Sequence, residues 1–238
     1  MDYQRDRLKW DGWGWSDHHF DLHGREQALW AFLQEGLGLD SLVDTPGSPI
    51  DDIDIPAIRL SDSQLASLRE ILHPDRVKTD RYERIFHALG KSYHDLIRIR
   101  AGTLAHAPDA VVYPESNSEL QQLMDFAAAE SLALVPYGGG SSVVGGVEAR
   151  AEGHAGVLTI DMTRMNRVLS IDEESLTATV QAGTYGPAIE AQLQSRGLTL
   201  GHYPQSFQFS TLGGWIAARG SGQQSNRYGP AAKFLVGA

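Results

Sequence analysis

Cysteine is absent from this chain. That excludes disulfides, thiolate metal sites and a cysteine nucleophile. Long apolar runs are lacking too; none approaches the roughly 18 residues needed to cross a bilayer. The opening residues, MDYQRDRLKWDGWGWSD, are polar and aromatic with no apolar signal-peptide core, so secretion is not expected. Positive charge is scarce: 20 Lys and Arg stand against 30 Asp and Glu, a net −10. Such a balance repels nucleic acid and anionic lipid on average. The expected location is cytoplasmic, with room for a place at the membrane periphery. There is no internal repeat and no low-complexity tract.

What the chain does have suits a packed core: 42% of its 238 residues are hydrophobic, enough for one large domain or two small ones. One stretch runs against the acidic balance. Arg69, Arg76, Lys78, Arg81, Arg84, Lys91, Arg98 and Arg100 lie close together. They read as solvated helix faces or as a dock for an anionic group. His18, His19 and His23 form a cluster in which His19 and His23 have a spacing that can bind zinc on a helix. Gly24 breaks that segment and no adjacent Glu completes a metalloprotease pattern, so no metal is expected.

Helices are predicted over REQALWAFLQEGLG, over SDSQLASLREIL with Ser61 or Asp62 as cap, and along DRYERIFHALGKSYHDLIRIRAG. After His106 strands and helices alternate. DAVVYP reads as a strand, followed by a helix capped by Ser118 with Gln121 completing a capping box. LALVPY and GVLTIDM read as strands, and NRVLSIDEESLTATVQAG as a hairpin turning near Asp172 to Ser175. A helix opens at Thr184 and stops at Gly197. Phe234, Leu235 and Val236 look like the start of a buried strand. Trp10, Trp13 and Trp15 read as a hydrophobic cap on the main domain, with an acyl-chain contact as the other reading.

Two glycine-rich stretches stand out. The first is LVPYGGGSSVVGG, Leu134 to Gly146. Gly140 and Gly145 have Walker A spacing, but Gly146 stands where Lys is required. Gly138 and Gly140 begin a dinucleotide fingerprint, but Val143 ends it. The physical logic survives both failures: consecutive residues without Cβ can turn their N–H groups inward as an anion nest, and Ser141 and Ser142 add hydroxyls. The alternative is a flexible turn. The second stretch, GHYPQSFQFSTLGGWIAARGSG, runs from Gly201 to Gly222. A helix starting at Ser210 or Thr211 would leave its first N–H groups free for phosphate. Gly213 and Gly214 weaken that helix by about 1 kcal/mol each relative to Ala. Such a cost is understandable if something must lie flat against the backbone.

LKWDGWGWSD, PYGGGSSV, DMTRMNRVLSIDEESLTATVQAG and the Gly201–Gly222 stretch, in that order, resemble the alkyldihydroxyacetonephosphate synthases of the vanillyl-alcohol-oxidase/para-cresol-methylhydroxylase (PCMH) flavoprotein superfamily. The resemblance implies an α+β chain. A mostly helical region over residues 1–105 would precede the first part of a PCMH-type FAD-binding domain over 106–238, incomplete and ending before the substrate domain. It implies that Pro136, Tyr137, Gly138, Gly139, Gly140, Ser141 and Ser142 cradle the FAD pyrophosphate. Gln205, Ser206, Phe207, Gln208, Phe209, Ser210 and Thr211 would run beside the flavin, and Ala218, Arg219, Gly220 and Ser221 would close the adenine or phosphate side. The family usually has acidic residues where this chain has Tyr203, Gln205 and Gln208, and Thr-Arg-Ala-Ser where it has Ala218 to Ser221. Backbone contacts tolerate these changes; side-chain contacts to the flavin need not. Relatives that tether FAD often carry His where this chain has Ser141, and no sulfur is available, so non-covalent FAD is expected. His202 would touch the flavin or substrate, or serve as a structural histidine. Arg219 would pair with a phosphate or the flavin, or sit on the surface.

By the same resemblance, the whole enzyme would exchange the acyl chain of acyl-dihydroxyacetone phosphate for a fatty alcohol through an adduct at flavin N5. A small-molecule or lipid substrate, no nucleic acid, peripheral membrane contact and a homodimer are compatible with it. The alternatives are an FAD-dependent oxidase or dehydrogenase of an alcohol or 2-hydroxy acid, and a non-catalytic remnant. The resembled synthases draw catalytic residues from a substrate domain, so none is expected before Ala238. The chain would be a fragment that binds FAD weakly and is inactive alone.

Overall fold

A computed structural model describes residues 7–18, 21–42 and 46–238. Helix α1, Glu26–Leu37, forms where the apolar spacing predicts it and ends at Gly38, whose left-handed φ of 64° closes the last turn. It buries none of its residues; Trp30 and Phe32 are 52% and 70% exposed. Helix α2, Asp62–Ile71, starts at Ser61, which makes a reciprocal capping box with Gln64.

The next predicted helix is two. α3, Arg81–Phe86, and α4, Tyr93–Arg100, are separated by a break over residues 87–92. The break has a tertiary cause. His87 is fully buried, and Gly90 lies so close to the Ser142 carbonyl that a Cβ there would overlap it. Ser92 then restarts the helix through a box with Asp95.

The main sheet has the order β1-β2-β4-β3. Strand β1, Val77–Lys78, is antiparallel to β2, Ala110–Val112. β2 and β3, Leu132–Tyr137, both run parallel to the central β4, Gly156–Asp161. All six β4 residues are buried, as expected for a parallel strand covered on both faces. Helix α5, Asn117–Ala129, joins β2 to β3 and packs Leu123 and Ala127 into the core. Its cap is Ser116, accepting from the Glu119 amide, not the predicted Ser118. Ser116 and Glu119 also fit the box spacing, and residue 116 is still extended as the chain leaves the sheet.

The core also contains Leu68 and Leu72 of α2 and Val77 of β1, so residues before 106 help to build it. Each such leucine, fully buried, contributes about 1.5–3 kcal/mol. A hairpin follows, β5 (Val168–Asp172) against β6 (Thr177–Val180), with the Asp172 carboxylate accepting from the Glu174 and Ser175 amides in the predicted turn. α6, Gly186–Gln194, begins two residues after the expected Thr184, whose hydroxyl bonds back to Gln181 instead. α7, Leu212–Ala217, and α8, Ser225–Tyr228, complete the helices. Phe234 to Val236 do not form the expected buried strand; Leu235 and Val236 are 42% and 88% exposed.

Most of the basic stretch is not a solvated face; only Arg69 and Arg100 are exposed. Arg76 makes a two-pronged pair with Glu119, both contacts 2.7 Å. Arg84 is buried on the carbonyls of Pro56 and Pro108. Arg81 binds the carbonyls of Ile50, Asp51 and Ile53, and Arg98 joins Asp95 to Glu148. These guanidinium groups are internal tethers.

The Arg76 hydrogen bonds hold the Glu119 carboxyl below the ordinary carboxylate range against the opposing effect of burial. A depressed carboxylate contributes stability that is present above its unfolded pKa and lost as pH falls through its folded value. Glu119→Gln is therefore expected to cost about 3 kcal/mol at pH 7 in urea denaturation. The gap from the unsubstituted chain should shrink as pH falls below about 4.

Candidate cofactor site

The glycine loop leaves the C-terminal end of β3, where open parallel sheets bind ligands. Gly140 has φ 66°, a left-handed conformation that favours glycine. Among the described residues no acceptor takes the amide hydrogens of Gly139, Gly140 or Ser141. Gly140 is buried and Gly139 half-buried, so these donors have limited access to water. Three successive unspent amides around a left-handed residue form an anion nest, and they fit a diphosphate.

The glycines also serve a purpose that the sequence did not reveal. A Cβ at Gly138 would overlap the Thr211 hydroxyl, one at Gly139 the Phe209 carbonyl, and one at Gly140 the Tyr137 hydroxyl. The loop is thus packed directly on the second glycine-rich stretch. Gly145, φ 74°, and Gly146 meet nothing so close; they form a turn whose amide at Gly146 donates to the Ser142 hydroxyl at 3.1 Å.

The second stretch departs from expectation at its helix. The amides of Leu212 and Gly213, expected to be free for phosphate, donate to the carbonyls of Thr184 and Ala182 at 3.0 and 2.8 Å. The close neighbour of Gly213 is Ala182, a residue of the same chain; Gly214 meets only the Thr211 hydroxyl, at ordinary van der Waals distance. The hydroxyls of Ser206 and Ser210 bond to each other at 3.0 Å, and the Trp215 indole donates to Ser210 at 2.6 Å. Ser210 and Thr211 are buried, whereas Gln205 and Gln208 are exposed. Ala218, Arg219 and Ser221 are exposed and Gly220 half-buried just after α7. Arg219 holds φ 52° at the helix end, a place that favours glycine, and no carboxylate pairs with it among the described residues.

The tryptophan cap read from the sequence, within the N-terminal aromatic segment, lies over the loop; what lies under it was not legible. Trp13 and Trp15 pack on Phe209, with ring centroids 6.2 and 5.5 Å away. Lys91 sits between that segment and the loop. Its amide donates to the Ser142 carbonyl at 2.7 Å, and its ammonium donates to the carbonyls of Lys9 and Trp10. Beneath lies a buried polar cluster. His87 stands 2.9 Å from Asp161 at the end of β4, and its other nitrogen 2.8 Å from the Glu83 carbonyl. The Tyr113 hydroxyl donates to Glu83, and the His87 ring packs on Tyr137, which begins the loop. The only sequence signal for this cluster is a strand-ending Asp161; nothing pairs it with a histidine 74 residues earlier.

His202 is buried against Trp215 and Phe234, and neither ring nitrogen has a partner among the described residues. Burial pushes its pKa down and keeps the imidazole neutral. His19 lies outside the described residues, and His23 is exposed beside Asp21. Among the described residues no cluster of His, Asp and Glu has a metal-binding arrangement.

Gly139→Ala should cost about 3 kcal/mol, because its methyl cannot avoid the Phe209 carbonyl without shifting backbone. Gly145→Ala, strained only by its positive φ, should cost about 1 kcal/mol. Thermal or urea unfolding of the two variants separates a packing glycine from a turn glycine.

The chain is 37% identical, over 97% of its length, to the alkyldihydroxyacetonephosphate synthase of Trypanosoma brucei brucei. It is 36% identical, over 94% of its length, to the protein of that name in Dictyostelium discoideum. The matches take in 41% and 40% of those proteins, so the chain spans about two fifths of the length of the curated relatives it matches. A solved alkyldihydroxyacetonephosphate synthase superposes with a TM-score of 0.84 at 36% identity, over 95% of this chain and 46% of that one. The sequence model of a family described as an FAD binding domain matches residues 108–238. The glycine loop lies inside that match; the chain belongs to the FAD-binding domain family, and its cofactor is non-covalent FAD.

Proposed function

We propose that this chain is the FAD-holding portion of an enzyme that replaces the acyl chain of acyl-dihydroxyacetone phosphate with a fatty alcohol. One observation carries the reading beyond FAD binding. The family model begins at residue 108, yet the likeness to the synthases runs over 94–97% of the chain. It therefore takes in the aromatic segment, which packs against the cofactor loop. An oxidoreductase sharing only the FAD-binding domain would not require that segment.

Gly139, Gly140 and Ser141 would hold the diphosphate through their amides. Gln205 and Gln208, the exposed polar residues of the second stretch, would face the ring system. Arg219 would offer a free guanidinium to a phosphate. Bound FAD would supply an electron-accepting ring to the substrate. The Trp13–Trp15–Phe209 cluster would keep water from the loop side of the site. A lipid substrate suits the exposed Trp30 and Phe32 of α1, as does contact with a membrane surface. A homodimer is compatible with the same apolar face.

Fluorescence titration should show this chain quenching FAD with a one-to-one end point and no turnover on its own. In an enzyme of the relatives' full length containing this chain, mixing without oxygen discriminates the chemistry. Bleaching of the flavin band by acyl-dihydroxyacetone phosphate, reversed by fatty alcohol, is the expected outcome. Lasting bleaching by an alcohol alone would instead assign oxidation.

A further inference from the structure

We propose that Lys91 is a positioning residue that pins the Leu8–Trp15 segment across the glycine loop, so that docking of this segment and capture of the FAD diphosphate are one linked event. The inference rests on the FAD reading above.

Lys91 uses every polar group it has at this junction. Its amide donates to the Ser142 carbonyl at 2.7 Å, directly behind the loop. Its carbonyl accepts from the Trp13 indole at 3.1 Å. Its ammonium donates to the Lys9 and Trp10 carbonyls at 3.1 and 2.9 Å and lies 5.7 Å from the centre of the Phe86 ring. The preceding Gly90 is what lets the chain come this close, since any Cβ would overlap the Ser142 carbonyl. Through Lys91, then, the N-terminal segment is bonded to the backbone of the loop.

The ammonium is also unbalanced. Lys91 is 9% exposed and no carboxylate lies within ion-pair distance among the described residues. A buried cation that only carbonyls satisfy is costly. Burial pushes its pKa down to about 8, with Asp11 opposing the shift. The other charged groups around it are already engaged or distant. Lys9 shares its segment, Asp95 is tied to Arg98, Arg98 also holds Glu148, and Arg100 reaches the Asp11 carbonyl. A cavity of about 10 Å³, no larger than one water, is lined by Lys91, Gly139, Trp13 and Phe209. A diphosphate on the loop would bring the missing negative charge to within a Debye length of Lys91.

The sign of the linkage follows. An added anion raises the Lys91 pKa, so binding takes up protons where the free protein has begun to lose them. Affinity for FAD is full below about pH 8 and falls as pH rises above it.

The test uses the full chain, FAD fluorescence titrations at pH 7 and pH 9, and trypsin cleavage at Arg7 and Lys9. In the unsubstituted chain, FAD affinity should fall about fivefold from pH 7 to 9, and FAD should slow cleavage. Lys91→Met should bind FAD about tenfold more weakly at pH 7, lose the pH dependence and be cleaved equally with or without FAD. Lys91→Arg should recover affinity and show no fall at pH 9. Should Lys91→Met fail to fold, Trp13→Phe removes only the indole bond and should still weaken the protection that FAD gives. The pinning role is overturned if the unsubstituted chain binds FAD but Lys91→Met matches its affinity and pH profile, or if FAD leaves cleavage unchanged. A chain that binds no FAD at either pH overturns the cofactor reading itself, a result distinct from these.

Discussion

The close approach of Gly138–Gly140 to Phe209–Thr211 is the constraint on which the rest of the site depends. Two loops, each at the end of its own substructure, come into backbone contact because neither Gly138 nor Gly139 carries a side chain. The contact fixes the direction in which the Gly139, Gly140 and Ser141 amides point and leaves them without acceptors among the described residues. Unspent, half-buried donors carry a desolvation cost of about 1–3 kcal/mol each. An anion that accepts from them recovers that cost, which is why the arrangement suits a diphosphate better than an empty turn.

The same contact couples two cores. On one side are β2, β4 and β3 with α2 and α5; on the other, α6, α7 and the Phe207–Trp215 cluster. The Tyr185–Thr211 bridge and the bonds from Leu212 and Gly213 to Thr184 and Ala182 hold the second core in register behind the loop. Helix α7 spends its first amides on this join. It therefore supports the glycine loop from behind, and its own first amides are not left for an anion.

The helical region before residue 106 contributes its polar side chains as structure. Arg76, Arg81, Arg84 and Arg98 are spent on carbonyls and carboxylates, His87 meets Asp161, and Lys91 meets Ser142. A run of positive residues in a sequence carries no information about partners that arrive from distant positions. Arg76 finds Glu119 and His87 finds Asp161 only after the sheet has formed, and buried charges persist only where such partners exist.

The sequence by itself determined the local elements and the chemistry they could support. Apolar spacing placed α1, α2 and the strands; capping serines marked helix starts, though it took the sheet to choose Ser116 over Ser118. The glycine loop was legible as a turn that leaves backbone amides free, because missing Cβ atoms and a strand end are local properties. Tertiary structure alone decided which glycines pack on Phe209 and Thr211 and which form an open turn, why α3 and α4 break at Gly90, and that Lys91 and Trp13 meet at the loop. These depend on approaches between segments 50 to 130 residues apart, fixed by the packing of the whole chain and written in no single stretch of it.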